Sequence, residues 1–319
     1  MSGSQTPLRP AVQPTMYFVG VSTTRSSINP VFQAWAPELH IDNACLAGID
    51  LEQGSPRESY REVVSFIASD PLSVGALVTT HKIDVYVSCA DLFGEISRDA
   101  AALGEISCIA KRDGRLVGAA LDPITSGFAL EAFLPEGHWQ RAGSDVLLLG
   151  AGGSATALMC YLSDPRHGPN RPRRIVATAR RAERLAKIRD VHDRLGFDVP
   201  LETVQASDVS VNDAALAALA PGSLVVNASG LGKDAPGSPL SDVAVFPLDG
   251  FAWDFNYRGN LVFLDQARRQ AAERHLGIED GWIYFVHGWT RCIAVTFHLD
   301  IPPSGLAFDR LLKLAEAAR

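Results

Sequence analysis

The stretch VLLLGAGGSATALMCYL, residues 146–162, limits what this chain can fold into more than any other. An apolar run ends at Leu149, small residues follow, and an apolar segment long enough for a helix begins. A run that is apolar on both faces suits a buried strand of a parallel sheet, which needs helices packed on either side. Gly150, Gly152 and Gly153 then form a tight turn into the helix, with Ser154 and Ala155 in its first turn. Small residues let backbone approach a pyrophosphate, and a helix N-terminus offers unpaired N–H groups and a positive dipole end. The order G-A-G-G-S-A departs from strict G-x-G-x-x-G, so its place between strand and helix carries the reading. The plain alternative is a tight βα turn that binds nothing.

Other short apolar runs repeat the strand signal: MYFVGV (16–21), VGALVTT (74–80), RIVATA (174–179), SLVVNAS (223–229) and GFAWDFN (250–256). Helical patterns such as PRESYREVVSFIAS and RRAERLAKIRDVHDRLG lie between them, so βαβ units and parallel sheet are expected. The fold class is α/β in two domains. A flexible Pro-rich lead spans 1–15, an N-terminal α/β substrate domain spans 16–121, and a Rossmann-type dinucleotide-binding domain spans 122–280. C-terminal helices over 281–319 complete the first domain, with Pro302 and Pro303 separating them.

The strand after the glycine turn should end beside the adenosine ribose, where an acidic residue favours NAD. Here Ala179 is followed by Arg180 and Arg181, with Arg184 one turn on. Guanidinium forks suit a 2′-phosphate, and cations at a helix start are otherwise unfavourable. NADP is therefore the expected cofactor, ahead of NAD. Asn227 and Ser229, at the next strand end in LVVNASGLG, fall where the nicotinamide side is expected.

Composition excludes several classes. Of 319 residues, 47% are hydrophobic and 20% charged, enough for a large core and against global disorder. A net charge of −7 argues against nucleic-acid binding. Five cysteines without a C-x-x-C pair argue against a disulfide framework and for a reducing cytoplasm. No secretory signal or membrane span is read, and no metal-ligand spacing. Monomer and homodimer both remain open.

Taken in order, GALVTTHK, LGEISCIAKRDGRLVGAALDPITSGF, VLLLGAGGSA, VVNASGLG and WDFNYRGNLVFLDQA resemble the shikimate/quinate dehydrogenase family over nearly the whole chain. The resemblance implies a substrate domain, an NADP-binding Rossmann domain, and hydride transfer between a ring ketone and a ring alcohol. It places Lys82 and Asp122 on the family's catalytic pair, across the interdomain cleft, with the lysine as proton-transfer group. A lysine can accept a hydroxyl proton when burial lowers its pKa, and a carboxylate beside it orients it while raising that pKa.

The departures point to the substrate. The S-x-S-P motif is represented by Ser26 alone, with Ile28 in place of its second serine. Leu77, Ser107, Ala120, Leu121 and Gly288 stand where the family has polar substrate-reading groups. Ser26, Thr79, Ser107, Tyr257 and His287 are the candidate substrate contacts. The best substrate is therefore expected to be a small cyclic carboxylic acid other than shikimate. Genuine shikimate or quinate dehydrogenase activity is one alternative; a catalytically silent NADP-binding regulatory protein is another. His81 and Cys108 are read as structural.

Overall fold

The computed structural model describes residues 8–233 and 235–319, and the chain divides into two units: residues up to 121 with 286–319, and residues 122–285. Residues 281–285, expected with the C-terminal helices, belong instead to the second unit. Residues 1–7 of the expected lead lie outside the described residues. The rest of the lead is tied down, because the Ala11 N–H donates to Asp70 Oδ2 at 3.0 Å and the strand begins at Thr15.

The first unit contains β1 (Thr15–Gly20), α1 (Ile28–Glu38), β2 (Cys45–Asp50), α2 (Arg57–Ser69), β3 (Ser73–Val78), α3 (Lys82–Cys89), β4 (Glu95–Ile96), α4 (Arg98–Leu103), β5 (Cys108–Arg112) and β6 (Arg115–Ala119). Its sheet runs β2-β1-β3-β5-β6-β4. β1 pairs in parallel with β2 and β3, whereas β5 is antiparallel to β3 and to β6. The uniformly parallel sheet expected from the alternation therefore holds for only part of this unit. For the β5–β6 pair the cause is local: Asp113 and Gly114 both take positive φ, 49° and 73°, the turn that an Asp-Gly pair makes most readily in a hairpin.

The second unit contains α5 (Asp122–Phe133), α6 (His138–Ala142), β7 (Val146–Leu149), α7 (Gly153–Ser163), β8 (Ile175–Ala179), α8 (Ala182–Leu195), β9 (Leu201–Gln205), α9 (Val209–Ala217), β10 (Leu224–Asn227), β11 (Phe251–Asp254), α10 (Val262–Arg268), α11 (Ala271–Arg274) and β12 (Gly277–Glu279). All its strands are parallel, in the order β12-β11-β10-β7-β8-β9. β7 sits between β10 and β8, and its four residues are wholly buried. Each such leucine stabilises the sheet by roughly 2 kcal/mol. The central reversal of strand order lies at β7, where α/β sheets bind ligands beyond their strand C-termini.

Two helices end the chain, α12 (Trp282–Phe297) and α13 (Leu306–Ala317). α13 joins the first unit, where the buried Trp35 indole of α1 donates to Leu311 O at 2.7 Å. On α12, the Trp289 ring meets Phe18 edge-on at 4.9 Å, and Cys292 Sγ lies 3.8 Å from Ala76 O. These contacts seat the later turns of α12 on β1 and β3.

Candidate functional site

In the second unit, β7 stops at Gly150 for a physical reason. Its φ is +125°, and a Cβ there would stand 2.5 Å from Ala228 O. Only glycine lets the turn after β7 pass this close to the loop after β10. Gly152 then takes extended φ/ψ as N-cap of α7, and no side chain caps the helix. The first N–H groups of α7 are therefore left for an external acceptor.

This turn opens onto a cavity of about 540 Å³ lined by residues from the ends of four strands and the start of α9. Gly150 and Gly152 line it beside β7, Arg180, Arg181 and Arg184 beside β8, and Ala228 and Ser229 beyond β10. Gly153, Ser154 and Ala155 are not among its lining residues; they belong to the first turn of α7, and the Ala155 side chain is buried. Arginines at a helix start can simply be solvated. Arg180 and Arg181 are indeed exposed, yet all three border the cavity. Arg181 is the N-cap of α8 and lies 3.5 Å from Glu183, an exposed pairing of little energetic weight.

Asn227 plays a different part from the contact role expected of it. It is fully buried. Its Nδ2 donates to Leu231 O at 3.1 Å and to Asp254 Oδ2 at 3.0 Å, while its Oδ1 accepts from Ser229 N–H and Oγ–H. Asn256 adds a second donor to Leu231 O and gives its N–H to Asp254 Oδ1. Asn227 thus shapes the loop after β10, and Ser229 is the residue of the two that reaches the cavity. Burial pushes the Asp254 carboxyl up to about 6, against the lowering effect of the Asn256 and Asn227 hydrogen bonds.

Several lining residues escaped the sequence reading: Ser207, Asp208, Asn212, Leu231 and Pro239. They follow β9 or occupy the loop after β10. β9 is a half-exposed edge strand, LETVQ, without the continuous apolar run that marks the inner strands. Its large apolar residues, Leu201 and Val204, fall on opposite faces, so no period-2 pattern marks it.

The first unit carries Ser26, Thr79, Lys82, Ser107 and His287. Three of them meet at the ends of β3 and β5. Thr79 N–H donates to Val19 O at 3.0 Å, Lys82 N–H to Thr79 O at 3.3 Å, and Ile106 N–H to Lys82 O at 3.0 Å. Val78 N–H donates to Ser107 O at 2.8 Å. Lys82 is half-buried and opens α3. Ser107 is buried, and its hydroxyl accepts from Leu121 N–H at 2.8 Å, so it serves the local backbone. Ser26 is half-buried and closes the short turn after β1.

His81 and His287 are packed groups. His81 is wholly buried, its Nε2 3.0 Å from Leu51 O and its Nδ1 3.3 Å from the Tyr60 hydroxyl. His287 is 2% exposed and stacks on Phe308, centroids 4.2 Å apart and planes 9° from parallel. Burial holds its imidazole down at about 4. Cys108 is buried as expected. In the second unit, Asp122 is the first residue of α5, and the half-buried Tyr257 ring lies against Trp282 and Phe285 at 5.3 and 5.0 Å. Among the described residues no cluster of ligands suits a metal ion, and no helix is long and apolar enough to cross a membrane.

The architecture defines a class: an α/β chain in two units, one of them a doubly wound parallel sheet with a glycine turn at its central strand. No family model matches the sequence. A shikimate dehydrogenase (NADP(+)) of Symbiobacterium thermophilum is 29% identical over 265 residues, covering 81% of this chain and 83% of that protein. The structure of shikimate dehydrogenase from Aquifex aeolicus matches with a TM-score of 0.72 at 18% identity, over 97% of this chain and 98% of the other. Quinate dehydrogenase from Corynebacterium glutamicum, solved in complex with NAD, matches with a TM-score of 0.72 at 18% identity, over 96% and 99%. Fold and sequence likeness together support the shikimate/quinate dehydrogenase family.

Proposed function

We propose that this chain is an NADP-dependent oxidoreductase that interconverts a ring alcohol and a ring ketone of a small cyclic carboxylic acid other than shikimate. One observation carries the cofactor reading. A single cavity joins an uncapped helix start at a glycine turn to three arginines at the next strand end. The first suits a pyrophosphate and the second a 2′-phosphate. No carboxylate follows β8 directly, where one would bind a free ribose hydroxyl, since Ala179 is succeeded by Arg180 and Arg181.

Bound nicotinamide would supply the hydride acceptor and donor. The chain's own part is proton transfer and orientation. In the oxidative direction the Lys82 amine takes the substrate's hydroxyl proton as the carbinol hydrogen leaves as hydride, and Asp122 orients that amine. These two roles rest on the motif resemblance. The substrate reading rests on Leu77, Ala120, Leu121 and Gly288, none of which has a polar side chain to pair with a ring hydroxyl. A site that does not pair substrate hydroxyls gives up the strong discrimination those bonds provide.

Calorimetric titration with NADP+ and NAD+ tests the cofactor. Tighter binding of NADP+ by roughly tenfold or more is expected, and loss of that preference in Arg181→Ala. Preference for NAD+ refutes the arginine assignment. Lys82→Ala should abolish turnover while leaving NADP+ affinity within about twofold. A variant that keeps most of its rate refutes the catalytic assignment. Turnover of shikimate or quinate at least as fast as any less hydroxylated cyclic acid refutes the substrate reading.

A further inference from the structure

A second cavity, of about 370 Å³, lies at the other end of α7 from the glycine turn. It is built within the second unit, from the last turns of α5 and α7, the start of α6 and the loop after α7. None of its lining residues borders the cavity at the glycine turn. Since about 150 Å³ accommodates benzene, this volume takes a molecule of roughly ten non-hydrogen atoms.

Its electrostatics favour a cation. Glu131 and Glu136 line it, and no lysine or arginine does. α5 and α7 both end there, and helix C-termini carry partial negative charge. Arg166 and Arg171, on the loop after α7, are paired with Asp164 and Asp198, and Arg141, beside Gly137, is exposed and screened by solvent. Glu131 is held in place. The Tyr161 hydroxyl donates to its Oε1, and the Tyr161 ring lies so close over Gly127 that a Cβ there would clash with it. Burial and this bond raise the Tyr161 pKa, so the hydroxyl stays a donor. The second carboxylate oxygen of Glu131 has no partner among the described residues. Trp139 supplies a donor of its own. It is 5% exposed and lines the cavity, and its indole N–H bonds to nothing among the described residues yet is not sealed from solvent. Leu130, Leu134 and Leu162 add buried apolar wall.

We propose that this cavity is a second ligand site, for a small amine bound as its ammonium ion, with an apolar tail and one hydrogen-bond acceptor. The ammonium group meets the outer oxygen of Glu131, the acceptor takes the Trp139 N–H, and the tail lies on the three leucines. The site goes beyond the oxidoreductase reading and does not depend on it.

The chain has five tryptophans, so nitrogen-15 labelling of the indoles gives a countable set of N–H signals, and Trp139→Phe identifies the one that reports on the cavity. The full chain is titrated with 2-phenoxyethylamine and with its neutral counterpart, 2-phenoxyethanol. The amine should move the Trp139 signal saturably, in the presence of saturating NADP+ as in its absence. The alcohol should bind roughly tenfold or more weakly, for want of a charge-assisted bond. Glu131→Gln keeps an acceptor for Tyr161 and removes the charge; it should bring the two affinities within about threefold of each other, and circular dichroism checks that it folds. A Trp139 signal that neither compound moves overturns the site, as does a response that NADP+ abolishes, which would put the amine in the other cavity. Equal binding of amine and alcohol by the wild type overturns the cationic class of ligand. A preference that survives in folded Glu131→Gln overturns the role of Glu131.

Discussion

His287 offers a sharp test because its environment fixes both the sign and the size of an effect. Its ring is 2% exposed and stacked on Phe308, and burial lowers its pKa to about 4. In the unfolded chain an imidazole titrates near 6.5. At pH 7.5 the ring is neutral in both states and folding carries no proton cost. As the pH falls through 6.5 the unfolded chain gains a proton that the native ring does not, so stability is lost. The loss grows by about 1.4 kcal/mol per pH unit and levels off once the native ring protonates near pH 4. Between pH 7.5 and 4.5 it amounts to about 2–3 kcal/mol. His287→Phe removes the titration and keeps an aromatic ring against Phe308. Any packing cost of the larger ring is the same at both pH values and cancels in the difference. Urea unfolding followed by tryptophan fluorescence, at pH 7.5 and 4.5 for both proteins, measures that difference. The wild type should lose about 2–3 kcal/mol more than the variant on acidification. If both lose the same within 0.5 kcal/mol or so, the burial argument is wrong.

Asp254 should show the opposite sign. Its carboxyl is fully buried and raised to about 6 against about 3.9 unfolded, so its contribution favours the native state at low pH and is lost as the pH rises from 4 to 6, by about 3 kcal/mol. Asp254→Asn should flatten that part of the stability profile of the second unit; an unchanged profile would show that the Asn227 and Asn256 hydrogen bonds already offset the burial. Gly150→Ala must hold a Cβ at φ +125° and 2.5 Å from Ala228 O. Strain of this kind costs about 1–3 kcal/mol, so the melting temperature should fall by several degrees and NADP+ affinity by roughly tenfold or more. Normal melting and normal affinity together would show that the turn relaxes without consequence.

The parts of the fold legible in the sequence are those where one local cause dominates. β7 is apolar on both faces because it lies between β10 and β8, and the glycines after it are required by the approach of Ala228. The three arginines stand out because cations at a helix start need a reason to be there. Legibility fails where two signals compete or where a contact joins distant segments. β9 carries polar residues because it is an edge, so its end went unread and Ser207 and Asp208 with it. The β5–β6 hairpin was written in Asp113 and Gly114, but the alternation of strands and helices around it argued for parallel pairing.

Asn227 and Asn212 show the same limit at the level of single side chains. Both are buried asparagines with one face turned to backbone. From sequence, Asn227 invited a cofactor role because it ends a strand beside the glycine turn, while Asn212 lay unmarked in a helix. Their hydrogen bonds differ. Every polar atom of the Asn227 side chain is spent on Ser229, Leu231 and Asp254, so replacing it would reach the cofactor only through the loop it holds. Asn212 donates to Pro239 O, and its Oδ1 is shut away from solvent without a hydrogen-bond partner among the described residues. A residue type and its place on a strand indicate where polar chemistry is concentrated. Only the partners and the accessibility of each atom separate a group that builds the cavity from one able to bind what enters it.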